Sequence, residues 1–340
     1  MHAAAQPQPL ALVATGPLSG IARVPGDKSI SHRALMLGAL AVGRTEIEGL
    51  LEGEDVVRTA DALAAMGARI CRHGPGHWSV HGVGVGGLLQ PEGPLDMGNS
   101  GTSTRLLMGL VASHPIRASF TGDASLSRRP MRRVIAPLAA MGADIAASHG
   151  DRLPLIVRGL APALPLEWTL DVPSAQVKSA ILLAGLNARG ATTMIEPVAT
   201  RDHSERMLRA FGADIRSEPS PAGTRITVMG EAELTPSRLR VPADISSAAF
   251  PLVAALLVPG SRVELPGVCV NPTRDGLLRL LADMGAHVAQ ANPREVGGEP
   301  VADLVVEAGP LLAVAPDPAL APSMIDEFPI AFVAAALAEG

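Results

Sequence analysis

Apolar and polar positions repeat one pattern four times along the chain. A polar helix start leads into an Ala/Leu-rich run, and a turn follows at Val42-Gly43, His114-Pro115, Arg189-Gly190 and Pro259-Gly260. Next come a short strand-like stretch, such as Arg44 to Glu48 or Ser261 to Leu265, and a second helical run. That run ends in a phrase that recurs as Leu63 to Ile70, Leu138 to Ile145, Leu208 to Ile215 and Leu281 to Val288. Its glycines fall 75, 70 and 73 residues apart. A glycine straight after a periodic helical run predicts a C′ position, and the residues beyond it predict a strand. Alternating runs such as Trp78 to His81 and Arg225 to Val228 predict further strands. The repeating unit is β-α-β-α-β-β, about 70 residues long, and self-similarity at that period marks a repeated supersecondary unit.

The first helix of each unit starts at Ser29-Ile30-Ser31-His32-Arg33, Asn99 to Arg105, Ser174 to Ser179 and Asp244 to Ala248. A fifth unit starts at Met324 to Phe332, and the sequence stops at Gly340, where earlier units make their first turn. If units group in threes, the second group is incomplete by roughly one and four-fifths units, counted from the period. The linker between groups is expected at Arg238 to Asp244, where Pro236, Pro242 and polar residues cluster. Gly82 to Gly87 lacks the spacing, following helix and acidic residue of a dinucleotide fingerprint and reads as a strand-to-strand loop.

Composition narrows the class. A chain of 340 residues is long enough for two domains. It is 47% hydrophobic, yet aromatics are 2% and Tyr is absent, so Ala, Leu, Val, Ile and Met must build the core. A net charge of −5 argues against nucleic acid as a partner and leaves room for a local basic pocket. Cys71 and Cys269 stand far apart without metal spacing and read as core thiols in a reducing compartment. Met1 to Ala14 has no signal-peptide pattern, and the apolar runs are too short to span a bilayer. The expectation is a soluble cytoplasmic protein that binds neither membrane nor metal.

Candidate chemistry gathers at the helix starts. In Val24 to Arg33, Pro25-Gly26 signals a turn and Ser29 or Ser31 is the expected N-cap. Lys28 brings a point charge and Arg33 a planar fork to free helix N–H groups, which suits an anion; a solvated cap fits the same residues. The spacing of Asp27, Gly26 and Lys28 excludes a Walker A loop. Gly101, before the helix expected from Arg105 to Ala112, allows close backbone approach or simply a tight turn. Arg128 and Arg129 precede Pro130, expected at N1 of a helix, where an anion or solvent would offset their charge. Pro173 to Ser179 and Thr200 to Glu205 read as caps, with His203 a cap-region histidine. Asp326-Glu327 heads an apolar helix; one carboxylate serves as cap, and Asp326 reads as cap or base.

Taken as an ordered set, Gly26 to Arg33, Gly98 to Thr102, Gly122 to Leu126 with Arg129-Pro130-Met131, Ser174 to Ser179, Arg201-Asp202-His203 and Asp326 to Pro329 resemble the 3-phosphoshikimate 1-carboxyvinyltransferase (5-enolpyruvylshikimate-3-phosphate synthase) family. The resemblance implies an α/β fold of α+β type: two domains, each a pseudo-threefold assembly of β-α-β-α-β-β units, with the active site between them. It divides the chain into a strand within 1–22 that belongs to the second domain, a first domain over 23–241, and an incomplete second domain over 242–340. It implies transfer of the enolpyruvyl group of phosphoenolpyruvate to the 5-hydroxyl of shikimate 3-phosphate in aromatic amino acid biosynthesis, with no cofactor or metal, by a monomer. Lys28, Ser29, Arg33, Ser174, Ala175, Gln176, Arg201 and Asp326 would bind shikimate 3-phosphate; Lys28, Gly101, Arg129 and Gln176 would bind phosphoenolpyruvate. Asp326, with Lys28 beside it, would take the hydroxyl proton. Glyphosate would occupy the phosphoenolpyruvate site, and resistant members carry Ala at the position of Gly101. The family continues past this end with a Lys-Glu-Ser-Asp-Arg-like segment and a later arginine. A chain without them that binds shikimate 3-phosphate alone is therefore one alternative. The sister transferase acting on UDP-N-acetylglucosamine is another, but neither Cys71 nor Cys269 sits in a loop fit for its reactive cysteine.

Overall fold

The computed structural model describes residues 16–340. The expected first strand is therefore seen as β1 (Ser19–Ile21), and the part of it placed before residue 16 lies outside the described residues. Unit one contains α1 (Lys28–Leu40), β2 (Val42–Glu48), α2 (Glu54–Ala65), β3 (Arg69–Gly74) and β4 (His77–Val83). Unit two contains β5 (Leu95–Asp96), α3 (Gly101–Ala112), β6 (Arg117–Thr121), α4 (Arg132–Ala140), β7 (Asp144–Ser148) and β8 (Arg152–Arg158). Unit three contains β9 (Glu167–Thr169), α5 (Ala175–Gly185), β10 (Ala191–Glu196), α6 (His203–Ala210), β11 (Ile215–Ser220) and β12 (Gly223–Met229). Then come β13 (Arg238–Arg240), α7 (Ile245–Leu257), β14 (Arg262–Cys269), α8 (Gly276–Asp283), β15 (His287–Val296), β16 (Glu299–Glu307) and α9 (Phe328–Ala336).

The recurring Gly phrase does what its sequence predicts. α2, α4, α6 and α8 each end one residue short of a Met or Phe, and the glycine after it, at 67, 142, 212 and 285, has positive φ. In all four the next alanine donates its N–H back to the leucine carbonyl five residues earlier, as in Ala68 to Leu63 (3.1 Å) and Ala286 to Leu281 (2.9 Å). This closes the helix end in a Schellman motif, which an L side chain at the glycine would strain.

Each unit carries a four-stranded sheet in which three antiparallel strands are flanked by one short parallel edge strand. In units two and three the edge strand lies just before the first helix: β5 beside β6 and β9 beside β10. Unit one instead borrows β13, with Leu239 opposite Ile47, while β1 runs parallel to β14 with Gly20 opposite Val263. The chain thus crosses between two cores twice. Strand β13 takes up residues 238–240, so the crossing is confined to 241–244, a shorter linker than proline clustering suggested. The two crossings lie side by side: the Asp27 N–H donates to the Pro242 carbonyl (2.8 Å) and the Asp244 N–H to the Pro25 carbonyl (2.9 Å).

One core joins units one to three, with Leu35, Leu107 and Ile181 among its buried residues; a second is built around Leu252, Leu265, Leu281 and Val306. α1, α3 and α5 are buried along nearly their whole length. Each large apolar side chain so buried contributes on the order of 1.5–3 kcal/mol. A Cβ on Gly109 would fall 2.4 Å from the Ala180 carbonyl oxygen, so α3 and α5 meet backbone to backbone. α9 buries Ala331 and Ala334 and exposes Phe332 and Val333, as does the chain at Leu337 just after it. Among the described residues no helix is long and apolar enough to cross a membrane, and no cluster of His, Cys, Asp or Glu is arranged to hold a metal.

Candidate active site between the two cores

The helix starts that the sequence singles out meet at one place. Asp27, not Ser29 or Ser31, caps α1: its Oδ1 accepts from the Ile30 N–H at 2.8 Å. A carboxylate satisfies that N–H and complements the helix dipole, which leaves Ser29 half-buried at the mouth and lets Ser31 accept from the Leu51 N–H. Ser100 caps α3 and Ser174 caps α5 through the Ser103 and Val177 N–H groups. α3 begins at Gly101, four residues earlier than its apolar run suggested. Pro130 is not at N1 of α4, which starts at Arg132 after a 3-10 turn over Leu126–Arg128.

Side chains fasten the three N-termini pairwise. His32 Nδ1 is 2.8 Å from Thr59 Oγ1, Thr59 Oγ1 is 2.7 Å from Ser103 Oγ, and Ser103 Oγ is 2.6 Å from Ser100 Oγ, which ties α1 to α3 through α2. Gln176 on α5 accepts from Arg105 (2.8 Å) and donates to Thr102 (3.0 Å), which ties α3 to α5. Arg33 donates to Ser179 Oγ (2.7 Å), Ser204 Oγ (2.8 Å) and the Ser29 carbonyl (2.8 Å), which ties α1 to α5 and α6. Burial brings the Arg33 guanidinium down to about 10, with nearby Glu205 and Asp27 pulling the other way. Arg33 therefore sits behind Ser29 rather than in the open.

Lys28 is half-exposed, its Nζ 3.6 Å from Asp55. Gly101 is buried at the first turn of α3 and is absent from the positive-φ residues, so its backbone suits any side chain. What restricts it is space: an added Cβ would lie 2.7 Å from one Arg105 guanidinium nitrogen and 3.3 Å from one of Arg129. Arg129 donates to Asn99 Oδ1 at 2.6 Å. A cavity of about 570 Å³ opens here, lined by Arg105, Arg129, Arg132, Arg133, Ser174 and Gln176. Burial, helped by Arg129 and Arg133, lowers the Arg105 pKa. Cations crowded together with helix N-termini, and no carboxylate in the lining, form a place for an anion.

The second core brings carboxylates to the junction beside Arg201 and Asp27. Asp326, at the start of α9, pairs with Arg201. Burial raises its pKa, but Arg201, Arg274 and Lys28 outweigh it and hold the carboxyl below its ordinary value. It is thus an ionised acceptor facing Lys28 and Arg201. Glu327 makes no side-chain cap; it is fully buried and faces Arg274 and Ser246 instead. His203 is also buried, its Nδ1 2.8 Å from Glu299 Oε1 across the junction of the two cores. Cys269 is buried and its thiol is pushed up by burial and by Glu299.

Sequence reading missed Arg105, Lys178 and Arg274. Arg105 stands one turn after Gly101 on the same helix face, a spacing that would have found it. Lys178 is inside the Ser174 to Ser179 phrase, but its full burial against Glu196 (3.0 Å) and Glu205 (2.8 Å) is a tertiary fact. Arg274 lies in an ordinary loop that only folding brings to the crossings.

Comparison with known proteins accounts for this arrangement. Residues 12–340 match the family model described as EPSP synthase (3-phosphoshikimate 1-carboxyvinyltransferase). A 3-phosphoshikimate 1-carboxyvinyltransferase of Novosphingobium aromaticivorans is 63% identical over 334 residues, covering 98% of this chain and 76% of its own. The enzyme so named from Sphingopyxis alaskensis is 64% identical over 337 residues with the same coverages. The solved EPSP synthase of Acinetobacter baumannii superposes with a TM-score of 0.89 at 45% identity, covering 96% of this chain and 73% of that one. Sequence, fold and cleft agree: the chain belongs to the EPSP synthase (3-phosphoshikimate 1-carboxyvinyltransferase) family.

Proposed function

We infer that the chain transfers the enolpyruvyl group of phosphoenolpyruvate to the 5-hydroxyl of shikimate 3-phosphate and releases inorganic phosphate. The observation that carries this reading is the pairwise fastening of three helix N-termini around Lys28, Arg105, Arg129 and Arg201, with the exposed carboxylate of Asp326 paired to Arg201. Both substrates are multiply anionic, and preorganised cations and N–H groups stabilise such charge with little rearrangement.

Shikimate 3-phosphate lies against Lys28, Ser29, Ser174, Ala175, Gln176 and Arg201, with Arg33 supporting Ser29 from behind. Phosphoenolpyruvate lies between Gly101, Arg129, Gln176 and Lys28. Asp326 accepts the 5-hydroxyl proton as that oxygen bonds to C2, and C3 gains a proton to become a methyl group. The tetrahedral intermediate then loses a C3 proton as the C2–O bond to phosphate breaks, which restores the double bond. Approach of the two walls aligns the reactants and excludes water. The division that goes with this reading is 23–241 and 242–340, with β1 counted in the second domain. A cytoplasmic monomer goes with the same reading.

Phosphorus-31 NMR of the protein with both substrates tests it. Inorganic phosphate and an enolpyruvyl ether should form together, and neither substrate alone should release phosphate. Phosphate without the ether, or no reaction, would contradict the assignment.

A further inference from the structure

Arg274, in the loop between β14 and α8, is 3% exposed and reaches three capping turns at once. Its guanidinium is 3.8 Å from Asp27, 3.6 Å from Asp244 and 3.5 Å from Glu327, and it donates to Ser246 Oγ at 2.6 Å. Ser246 in turn hydrogen-bonds Glu327. Asp27 caps α1, Asp244 caps α7 through the Ser246 N–H (2.9 Å), and Glu327 heads α9. Two of the three are chain neighbours of residues assigned above to the chemistry: Asp27 precedes Lys28, and Glu327 follows Asp326. The third sits in the crossing whose backbone pairs with Pro25.

We propose that Arg274 is a positioning residue: by gripping the capping turns of α1, α7 and α9 where the chain crosses between the cores, it fixes Asp326 opposite Lys28. The proposal rests on the reading of Asp326 and Lys28 given above.

A purely stabilising role fits the site poorly. One guanidinium faces three carboxylates, and both Arg274 Nε and Glu327 Oε2 are buried without a partner. Buried charge clusters of this kind are poor devices for stability, and apolar residues would fill the space at less cost. Burial and Asp27 raise the Asp244 pKa against the pull of Arg274, whereas at Asp27 burial is outweighed by the nearby His203 and Arg274, which lower it. The other titratable groups facing the cluster are His203, Arg201, Arg33, His32 and Cys269 on the side of Asp27, and Asp326 and Lys28 on the side of Glu327. A fork that touches three turns fixes geometry, which a single-point ammonium cannot do.

The test compares the parent protein with Arg274→Gln, Arg274→Lys and Ser246→Ala, each read by hydrogen exchange and by kinetics. Exchange needs no turnover. Amides of residues 25–31, 243–248 and 324–331 should lose protection in Arg274→Gln, while α3 and α4 keep theirs. Unchanged exchange in those turns, or equal loosening of α3 and α4, would overturn the proposal.

Kinetically, kcat should fall by about 10- to 100-fold, the scale of an ångström-level misplacement, with KM for shikimate 3-phosphate within about threefold. The acidic limb of the pH–kcat profile should move upward in Arg274→Gln, because a cation that holds Asp326 ionised is gone. Arg274→Lys should keep the limb and still lose kcat. Ser246→Ala, which changes no charge, should give a smaller loss in the same direction. Equal changes in kcat and KM, or an unmoved limb, would also overturn it. A parent protein that makes no enolpyruvyl ether counts against the proposed function alone, since the exchange result stands without it.

Discussion

The two walls of the cleft are built on different principles. The wall from units one to three offers cations and hydroxyls at the N-termini of α1, α3 and α5, each held by a side chain from another unit. The wall from the second core carries carboxylates, of which Asp326 is exposed while Asp244 and Glu327 turn to the buried Arg274. Cations on a rigid, cross-tied frame suit recognition of phosphates, because donors already in place need no reorganisation. A carboxylate on the other side suits proton transfer, and Asp326 already pairs there with Arg201 of the first side. On the function proposed above, binding and chemistry are divided between the two sides of a double crossing.

Each half of that division can be attacked separately. The largest effect is expected on the acidic wall. Asp326→Asn keeps the shape of the side chain and removes the proton acceptor, so phosphate release should slow by roughly 10²- to 10⁴-fold. Initial rates with saturating substrates measure this, and a rate close to that of the parent would dissolve the distinction between walls.

Beneath the cationic wall, Lys178 is fully buried between Glu196 and Glu205 and also donates to the Thr200 carbonyl, next to Arg201. Burial keeps the Glu205 pKa raised in spite of Lys178. Lys178→Met strands both carboxylates and should destabilise the fold by about 3–5 kcal/mol. Urea midpoints report it, and an unchanged midpoint would show that the frame under Arg201 is not held this way.

His32 offers a pH test of the same frame. Burial, with Arg33 and Lys28 nearby, lowers its pKa to about 3 from an ordinary 6.5. The folded protein then binds fewer protons at this ring than the unfolded chain. Its contribution is complete above pH 6.5 and is lost as pH falls toward about 3, and it amounts to a few kcal/mol. Urea midpoints of the parent should fall across that window, and His32→Asn should flatten the fall. Parallel curves for the two proteins would remove His32 as the cause.

The smallest effect is expected at Gly101. Its backbone accepts Ala, but the new methyl would press on Arg105 and Arg129. Displacement inside a packed site costs about 1–3 kcal/mol. The longer ligand glyphosate should lose more than phosphoenolpyruvate, so its inhibition constant should rise more than the Michaelis constant. Equal changes would place the methyl outside the difference between the two ligands.

Much of this was legible in the sequence, for identifiable reasons. The four Gly phrases are local: a C′ glycine and its two backward hydrogen bonds need nothing beyond six residues. The polar helix starts were legible for the same reason, though not which residue caps α1 or where α3 and α4 begin. The exchange of β1 and β13 between sheets was not legible from pattern, because a three-residue edge strand carries almost no periodic signal. Asp27 was overlooked as cap because three hydroxyl or carboxyl candidates stood within five residues, and sequence could not rank them. Lys178 and Arg274 are ordinary residues by sequence, and burial among distant carboxylates alone gives them meaning.

The division of labour between the walls is tested most directly by calorimetric titration of shikimate 3-phosphate into the parent, Lys28→Ala and Asp326→Asn. Loss of a charge-assisted contact should cost Lys28→Ala about 1.5–3 kcal/mol, or roughly 10- to 150-fold in affinity. Asp326→Asn should stay within about tenfold of the parent. Equal affinity for the parent and Lys28→Ala, or a larger loss in Asp326→Asn, would contradict the account.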